Sequence, residues 1–288
     1  MSLNSREEEN VVVTGVEDWI FTKTPLWLAL VEEARRNERM LKEKRPAEAR
    51  LKQRIAGNCL SLKAAAEDDA LPLAQFSKMC LAYLPDEREE RIMRDVRERV
   101  RVLSFLQEGI SLPDTEEDLL RLWHRANDKE TTRYKDAPVS FRKSGDPLPF
   151  VQKGSEGEPD FVPGGCETVV PDRIMTETRR LLSFLKTEED PELKACAVFF
   201  LAGRIHSFRD GNGHLLRMLV AGILSSVYGT ETLLAFLERL QVNRPLIAGE
   251  ERNTNQNHRD LSETGTVLMR LLILAQKSCG NPQPSENS

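Results

Sequence analysis

Residues 206–217 read His206-Ser207-Phe208-Arg209-Asp210-Gly211-Asn212-Gly213-His214-Leu215-Leu216-Arg217, and strongly apolar segments flank them on both sides. Upstream, Asp190 suits an N-cap and Pro191 the first turn of a helix. That helix runs through Ala195, Cys196, Ala197, Val198, Phe199, Phe200, Leu201 and Ile205. It is apolar on nearly every side, as a helix in the middle of a fold must be, and too short to span a bilayer. Downstream, Leu215, Leu216, Met218, Leu219, Val220, Ile223 and Leu224 open a second apolar helix that stops near Gly229. Two buried helices joined by a short polar loop predict an all-α fold with the loop at its heart.

The loop carries chemistry. Gly211 and Gly213 predict a sharp turn around Asn212, because glycine reaches backbone angles that other residues avoid. A glycine turn feeding a helix leaves unpaired N–H groups at the positive end of the helix dipole, which favours a phosphate. Asp210 at the lip is placed to hold Mg²⁺, which bridges phosphates while keeping some of its water. Arg217, one turn into the second helix, offers a planar fork to distal phosphates. His206 has an ordinary pKa near operating pH and can take a proton from an attacking hydroxyl. Singly, a helix-end histidine, a Gly-Asn-Gly turn and an arginine all have ordinary structural uses. Their conjunction between two buried helices points to a nucleotide phosphate.

The stretch resembles the signature of the Fic (Fido) family, His-x-Phe-x-(Asp/Glu)-Gly-Asn-Gly-Arg-x-x-Arg. His206, Phe208, Asp210, Gly211, Asn212, Gly213 and Arg217 match it as they stand. The resemblance implies a helical bundle with a small β-hairpin flap, and transfer of AMP from Mg·ATP to a Ser, Thr or Tyr hydroxyl of a target protein. It implies His206 as general base, Asp210 as Mg²⁺ ligand, Asn212 as a phosphate contact and Arg217 as the holder of the distal phosphates. His214 stands where the family usually has its first arginine, so one imidazole donor replaces a permanently charged fork. The stretch Leu119-Leu120-Arg121-Leu122-Trp123-His124-Arg125 resembles the family's Leu-His helix, with Trp123 interposed. Val139-Ser140-Phe141-Arg142 resembles the approach to the flap, expected over 139–165, which docks the target by strand addition. Val242-Asn243-Arg244-Pro245 falls where many members follow Asn-Arg with a base-holding aromatic, absent here. Transfer of UMP, phosphocholine or phosphate therefore stays open, as does a non-catalytic nucleotide-binding scaffold. Retained His206 and Asp210 argue against the scaffold, because binding alone requires no base.

Many family members carry an inhibitory (Ser/Thr)-x-x-x-Glu-(Gly/Asn) helix whose glutamate pairs with the second motif arginine. Ser5…Glu9-Asn10 and Ser104…Glu108-Gly109 match it literally, as so short a pattern will by accident among 46 acidic residues. By order along the chain, the segment Arg54–Ala64 is the counterpart. There Lys63 replaces the glutamate and would repel Arg217. The expectation is a protein without the glutamate brake, with Lys63 a candidate phosphate ligand or an ordinary solvent-facing lysine.

The rest of the chain sets bounds. A content of 40% hydrophobic and 30% charged residues over 288 residues describes a globular chain with material for a real core. A net charge of −5 and a pI near 5.6 argue against a nucleic-acid binder. The arginine-rich stretches 33–54 and 86–101 are laced with acids, and Glu90/Arg94 and Asp95/Arg99 suit i,i+4 pairs on solvated helix faces. The acidic start is no signal peptide, no run reaches membrane-spanning length, and five unpaired cysteines read as reduced thiols, so a cytoplasmic protein is expected. A homodimer is possible within these bounds. Val11–Thr14 suits a short strand. Helices are expected over 24–45, 47–68, 72–82, 86–107, 115–127, 171–187, 191–206, 213–228, 230–240 and 260–277. Prolines and glycines interrupt 136–168. The expected organisation is an N-terminal helical region (1–109), a Fic-like catalytic domain (110–277) and a disordered tail (278–288).

Overall fold

The computed structural model describes residues 11–42, 48–87, 89–109, 111–129, 140–141, 166–243, 246–247 and 259–280. The described chain is almost entirely helical. Its elements are β1 (Val11–Val13), β2 (Ile20–Thr22), α1 (Pro25–Lys42), α2 (Glu48–Ala56), α3 (Lys63–Glu67), α4 (Leu73–Ala82), α5 (Glu90–Glu108), α6 (Glu116–Asn127), β3 (Ser140–Phe141), β4 (Cys166–Glu167), α7 (Ile174–Thr187), α8 (Pro191–Ile205), α9 (Asn212–Leu224), α10 (Thr230–Val242) and α11 (Ser262–Gly280). Helix α8 starts as the sequence predicts: Asp190 Oδ1 accepts from Leu193 N at 3.2 Å, and Pro191 occupies the first turn.

Helices α8 and α9 pack on each other and form the centre. Val198, Leu201, Ile205, Leu219 and Ala221 are at most 1% exposed. Around this pair lie α5, α6 and α10 against α9, and α7 and α11 against α8. One continuous apolar core reaches from Val16 to Cys279. Among the described residues, its buried acids are all hydrogen-bonded, Glu38 by Gly229 N, Thr232 and Gln276 alone. Glu192, at the start of α8, receives both Nε and Nη2 of Arg35 from α1, at 2.7 and 2.6 Å, together with the Tyr228 hydroxyl at 2.8 Å.

Four expectations need correction. The helix expected over 47–68 is broken: Gly57 adopts φ +53° and ends α2, and α3 starts afresh at Lys63. A second strand, β2, pairs antiparallel with β1, because Glu17 and Asp18 take left-handed angles that turn the chain back. Asp95 and Arg99 do not pair on a solvated face; Asp95 accepts from Gln241 Nε2 at 2.6 Å and Arg99 donates to Ile55 O at 3.2 Å. The tail expected from 278 is still helical through Gly280. The flap expected over 139–165 lies mostly outside the described residues. Its ends meet, however, with Ser140 paired to Glu167 and Phe141 to Cys166 in an antiparallel ladder. No helix among the described residues is long and apolar enough to cross a membrane.

Helix α11 comes close to β2 and α1 at Gly265. A Cβ there would meet the Phe21 ring at 2.7 Å and Trp27 at 3.1 Å, and these two rings are packed edge-to-face with centroids 4.7 Å apart. Neither ring has room to retreat, since both are fully buried. Gly265→Ala is expected to destabilise the protein by about 1–3 kcal/mol, read as a lower urea midpoint with an unchanged slope.

Candidate functional site

The loop between α8 and α9 is fixed from within and from below. His206 ends α8 in a left-handed conformation (φ 49°), its N–H bonded to Ala202 O at 3.0 Å, and its side chain is half-buried at the rim. Ser207 and Phe208 then dive into the core, the serine hydroxyl 3.1 Å from that of Thr178 and the ring fully buried. The Asn212 amide closes the loop on itself: Nδ2 donates to Phe208 O at 2.7 Å, and Oδ1 accepts from Phe208 N at 3.0 Å. The Asn212 side chain is committed to the loop, which leaves only its backbone N–H to meet an anion.

The turn falls at Gly211 (φ +74°), and α9 begins at Asn212, so Gly213 is already helical. Gly211 is required twice over. An L-residue avoids that φ, and a Cβ there would lie 2.2 Å from Asn127 Oδ1. No side chain caps α9, so the N-terminal N–H groups at Asn212, Gly213 and His214 end in the glycine turn, as an anion cradle requires.

Helix α6 supplies the floor. Its start is set by a capping box, Thr115 Oγ1 accepting from Asp118 N at 3.1 Å and Asp118 Oδ2 accepting from Thr115 N at 3.0 Å. At its other end Trp123 Nε1 donates to Asp210 O at 2.8 Å, and Asn127 Nδ2 donates to Gly211 O at 3.2 Å. Lys129, just beyond the helix, pairs with Asp210 Oδ2 at 2.7 Å. The Trp123 that interrupts the Leu-His pair is thus the brace of the loop, packed on Phe208 with ring centroids 5.7 Å apart. Asn127 and Lys129 escaped the sequence reading because nothing local marks them.

Arg217 is bound already. It is 7% exposed and faces Glu98 of α5, itself 6% exposed. Arg217 Nη2 donates to Oε2 at 2.9 Å and Nε donates to Oε1, a bidentate fork. His214 Nδ1 lies 3.0 Å from the same Oε2. An ionised carboxylate can only accept, so Nδ1 carries the proton and the imidazole spends that donor on Glu98. Burial pushes the Glu98 carboxyl up, but the hydrogen bond from His214 and the charge and hydrogen bonds of Arg217 more than reverse this, and it titrates at about 2.

A glutamate therefore does face Arg217, which corrects the expectation of a site without one. Lys63 is exposed at the start of α3 and packs with α2. Glu108 bonds Ser104 at 2.7 Å and Arg125 at 2.8 Å, and those two contacts hold its carboxyl below the usual range. Glu9 lies outside the described residues. The signal for Glu98 was present in the heptad geometry: it precedes Val102 by four residues and Phe105 by seven, on the stripe that α5 buries. Beyond α10, Asn243 Nδ2 is bonded to Arg239 O at 2.8 Å, while Arg244 and Pro245 lie outside the described residues.

Among the described residues of the loop, the exposed carboxylate is Asp210, its side chain 76% exposed and paired with Lys129. Among the described residues no group of three or more His, Cys, Asp or Glu side chains could hold an ion. A single hard oxygen donor beside an anion cradle fits Mg²⁺ carried in by a phosphate, and does not fit a resident metal cage.

Residues 115–224 match the sequence model of the Fic/DOC family. This segment, well under half of the chain, is where the likeness to Fic/DOC proteins lies. Its fold is similar to the crystal structure of a Fic family protein from Desulfovibrio desulfuricans G20, with a TM-score of 0.59 and 19% identity over 90% of this chain and 75% of that one. No curated protein matches the chain significantly. The Fic/DOC match begins at the capping box of α6 and ends with α9, the two helices that frame the loop, while Glu98 comes from outside it.

The Glu98 cluster sets a pH dependence. A carboxyl depressed in the folded state adds stability that is fully present above its ordinary value of 4.5 and is lost as pH falls to about 2. Glu98→Gln is expected to be less stable than wild type at neutral pH by about 1–3 kcal/mol. Denaturant titrations should show that gap narrowing below pH 4.5 and closing near pH 2.

Proposed function

We propose that this Fic/DOC protein is a nucleotidyltransferase that moves AMP from Mg·ATP to a Ser, Thr or Tyr hydroxyl of a target protein. What carries the reading is the juxtaposition of an uncapped α9 N-terminus, an arginine one turn inside it and a half-buried histidine at the end of α8. Triphosphate oxygens would take the amides of Asn212, Gly213 and His214. Asp210 would hold the ion that neutralises the charge gathering on the departing pyrophosphate. Arg217 would turn its fork from Glu98 to the distal phosphates. His206 would accept the proton of the target hydroxyl while that oxygen attacks the α-phosphorus. The bond from the α-phosphorus to the bridging oxygen then breaks, and pyrophosphate leaves with that oxygen. Removing the base from such a reaction typically costs a factor of about 10²–10⁴.

Incubation with Mg²⁺ and ATP labelled at the α- or the γ-phosphate tests this. Protein should take up α-label in wild type and lose it in His206→Ala. Uptake of γ-label instead would make the enzyme a kinase, and neither label together with measurable ATP binding would make the domain a scaffold.

The resting fork on Glu98 competes with the triphosphate for Arg217. Glu98→Gln should therefore bind ATP roughly tenfold more tightly by calorimetry, the worth of one hydrogen bond to a charged group.

A further inference from the structure

The contact between Lys129 and Asp210 is built, and this is what separates it from an ordinary surface ion pair. Lys129 follows Asp128, which closes α6 in a left-handed conformation (φ 52°) with its N–H bonded to His124 O at 2.9 Å. The Lys129 carbonyl lies 2.6 Å from His124 Nδ1, so the imidazole donates to it and fixes the lysine's backbone. Asp128 is tied to α5 through Arg101 at 3.2 Å. The other partner is held as firmly. The Asp210 carbonyl accepts from Trp123, and its Oδ1 accepts from Gly211 N at 2.7 Å, which turns Oδ2 toward Lys129 Nζ. The lysine ammonium and that same amide hold the Asp210 carboxyl below its usual range.

We propose that Lys129 is a tethered counter-ion that competes with the divalent cation for Asp210, so that the metal enters this site only by displacing the lysine. The inference rests on the reading of Asp210 as the metal-holding carboxylate. An ammonium and a Mg²⁺ ion compete for Asp210 Oδ2, because Oδ1 already accepts from Gly211 N and two cations in contact with one oxygen repel each other. The lysine side chain is 51% exposed, so it swings into solvent without leaving a hole. A free metal ion must strip the lysine away with no compensation, whereas a metal arriving on a triphosphate brings anionic oxygens for a freed ammonium to pair with. Lys129 therefore disfavours an empty-handed metal.

Mn²⁺ titration followed by electron paramagnetic resonance, on the full chain without nucleotide, reads this directly. Lys129→Met should bind Mn²⁺ about two- to fivefold more tightly than wild type, the range spanned by exposed ion pairs. The gain should shrink at high ionic strength, where the wild-type pair is already screened. Lys129→Arg, which keeps the charge, should titrate like wild type. Equal Mn²⁺ affinity in Lys129→Met and wild type, with binding lost in Asp210→Asn, would overturn the lysine's role and leave the metal assignment standing. Unchanged Mn²⁺ affinity in Asp210→Asn, both without nucleotide and with ATP present, would overturn both.

Discussion

A buried guanidinium must face a carboxylate, and most of what is particular to this site follows from that demand at Arg217. The residue lies one turn into α9, 7% exposed, with its fork on Glu98. Leaving its charge unpaired there would cost several kcal/mol, so the resting protein must supply an acid. It does so from α5, outside the segment that matches the Fic/DOC family, and thereby ties an N-terminal helix to α9. The same carboxylate takes the proton-bearing nitrogen of His214. One acid thus holds two of the groups that an incoming phosphate would want.

A second constraint is the geometry of the turn. Gly211 bends the chain where no other residue would fit, and a turn of that kind is stable only if its carbonyls are satisfied. Trp123 and Asn127 provide the donors for Asp210 and Gly211, and Asn212 bonds the turn to Phe208 from inside. The turn is held because the carbonyls of Asp210 and Gly211 and the side-chain amide of Asn212 are spent on structure. The amides at the start of α9 carry no side-chain cap, and the Asp210 carboxylate at the surface is held by Lys129.

The helices were legible in the sequence wherever apolar spacing and punctuation agreed, as at Asp190-Pro191 for α8 and Thr115 for α6. The motif was legible because its glycines, histidine and arginine are contiguous. What could not be read were the partners of those residues. Glu98 is 119 residues from Arg217 and sits among arginines that suggested a solvated face. Asn127 and Lys129 meet the loop across more than 80 residues of chain. The short motif and the order along the chain point instead to Glu108 and Lys63. The mark of Glu98 is an acid on a buried stripe, which must find a cation or several hydrogen-bond donors.

The replacement of the family's first arginine by His214 acquires a physical sense in this setting. Glu98 offers two oxygens, and the Arg217 fork uses both of them. A second guanidinium at position 214 would bring another permanent positive charge beside the buried Arg217. An imidazole offers a single hydrogen-bond donor to the same oxygen of Glu98 without that permanent charge. In its resting arrangement the site has its cation on α9 held by an acid and its acid on the loop held by a lysine. Charge is balanced locally at both ends before any ligand arrives. A ligand that drew Arg217 away would leave the buried Glu98 carboxylate to His214, whereas the exposed Lys129–Asp210 pair can part into water.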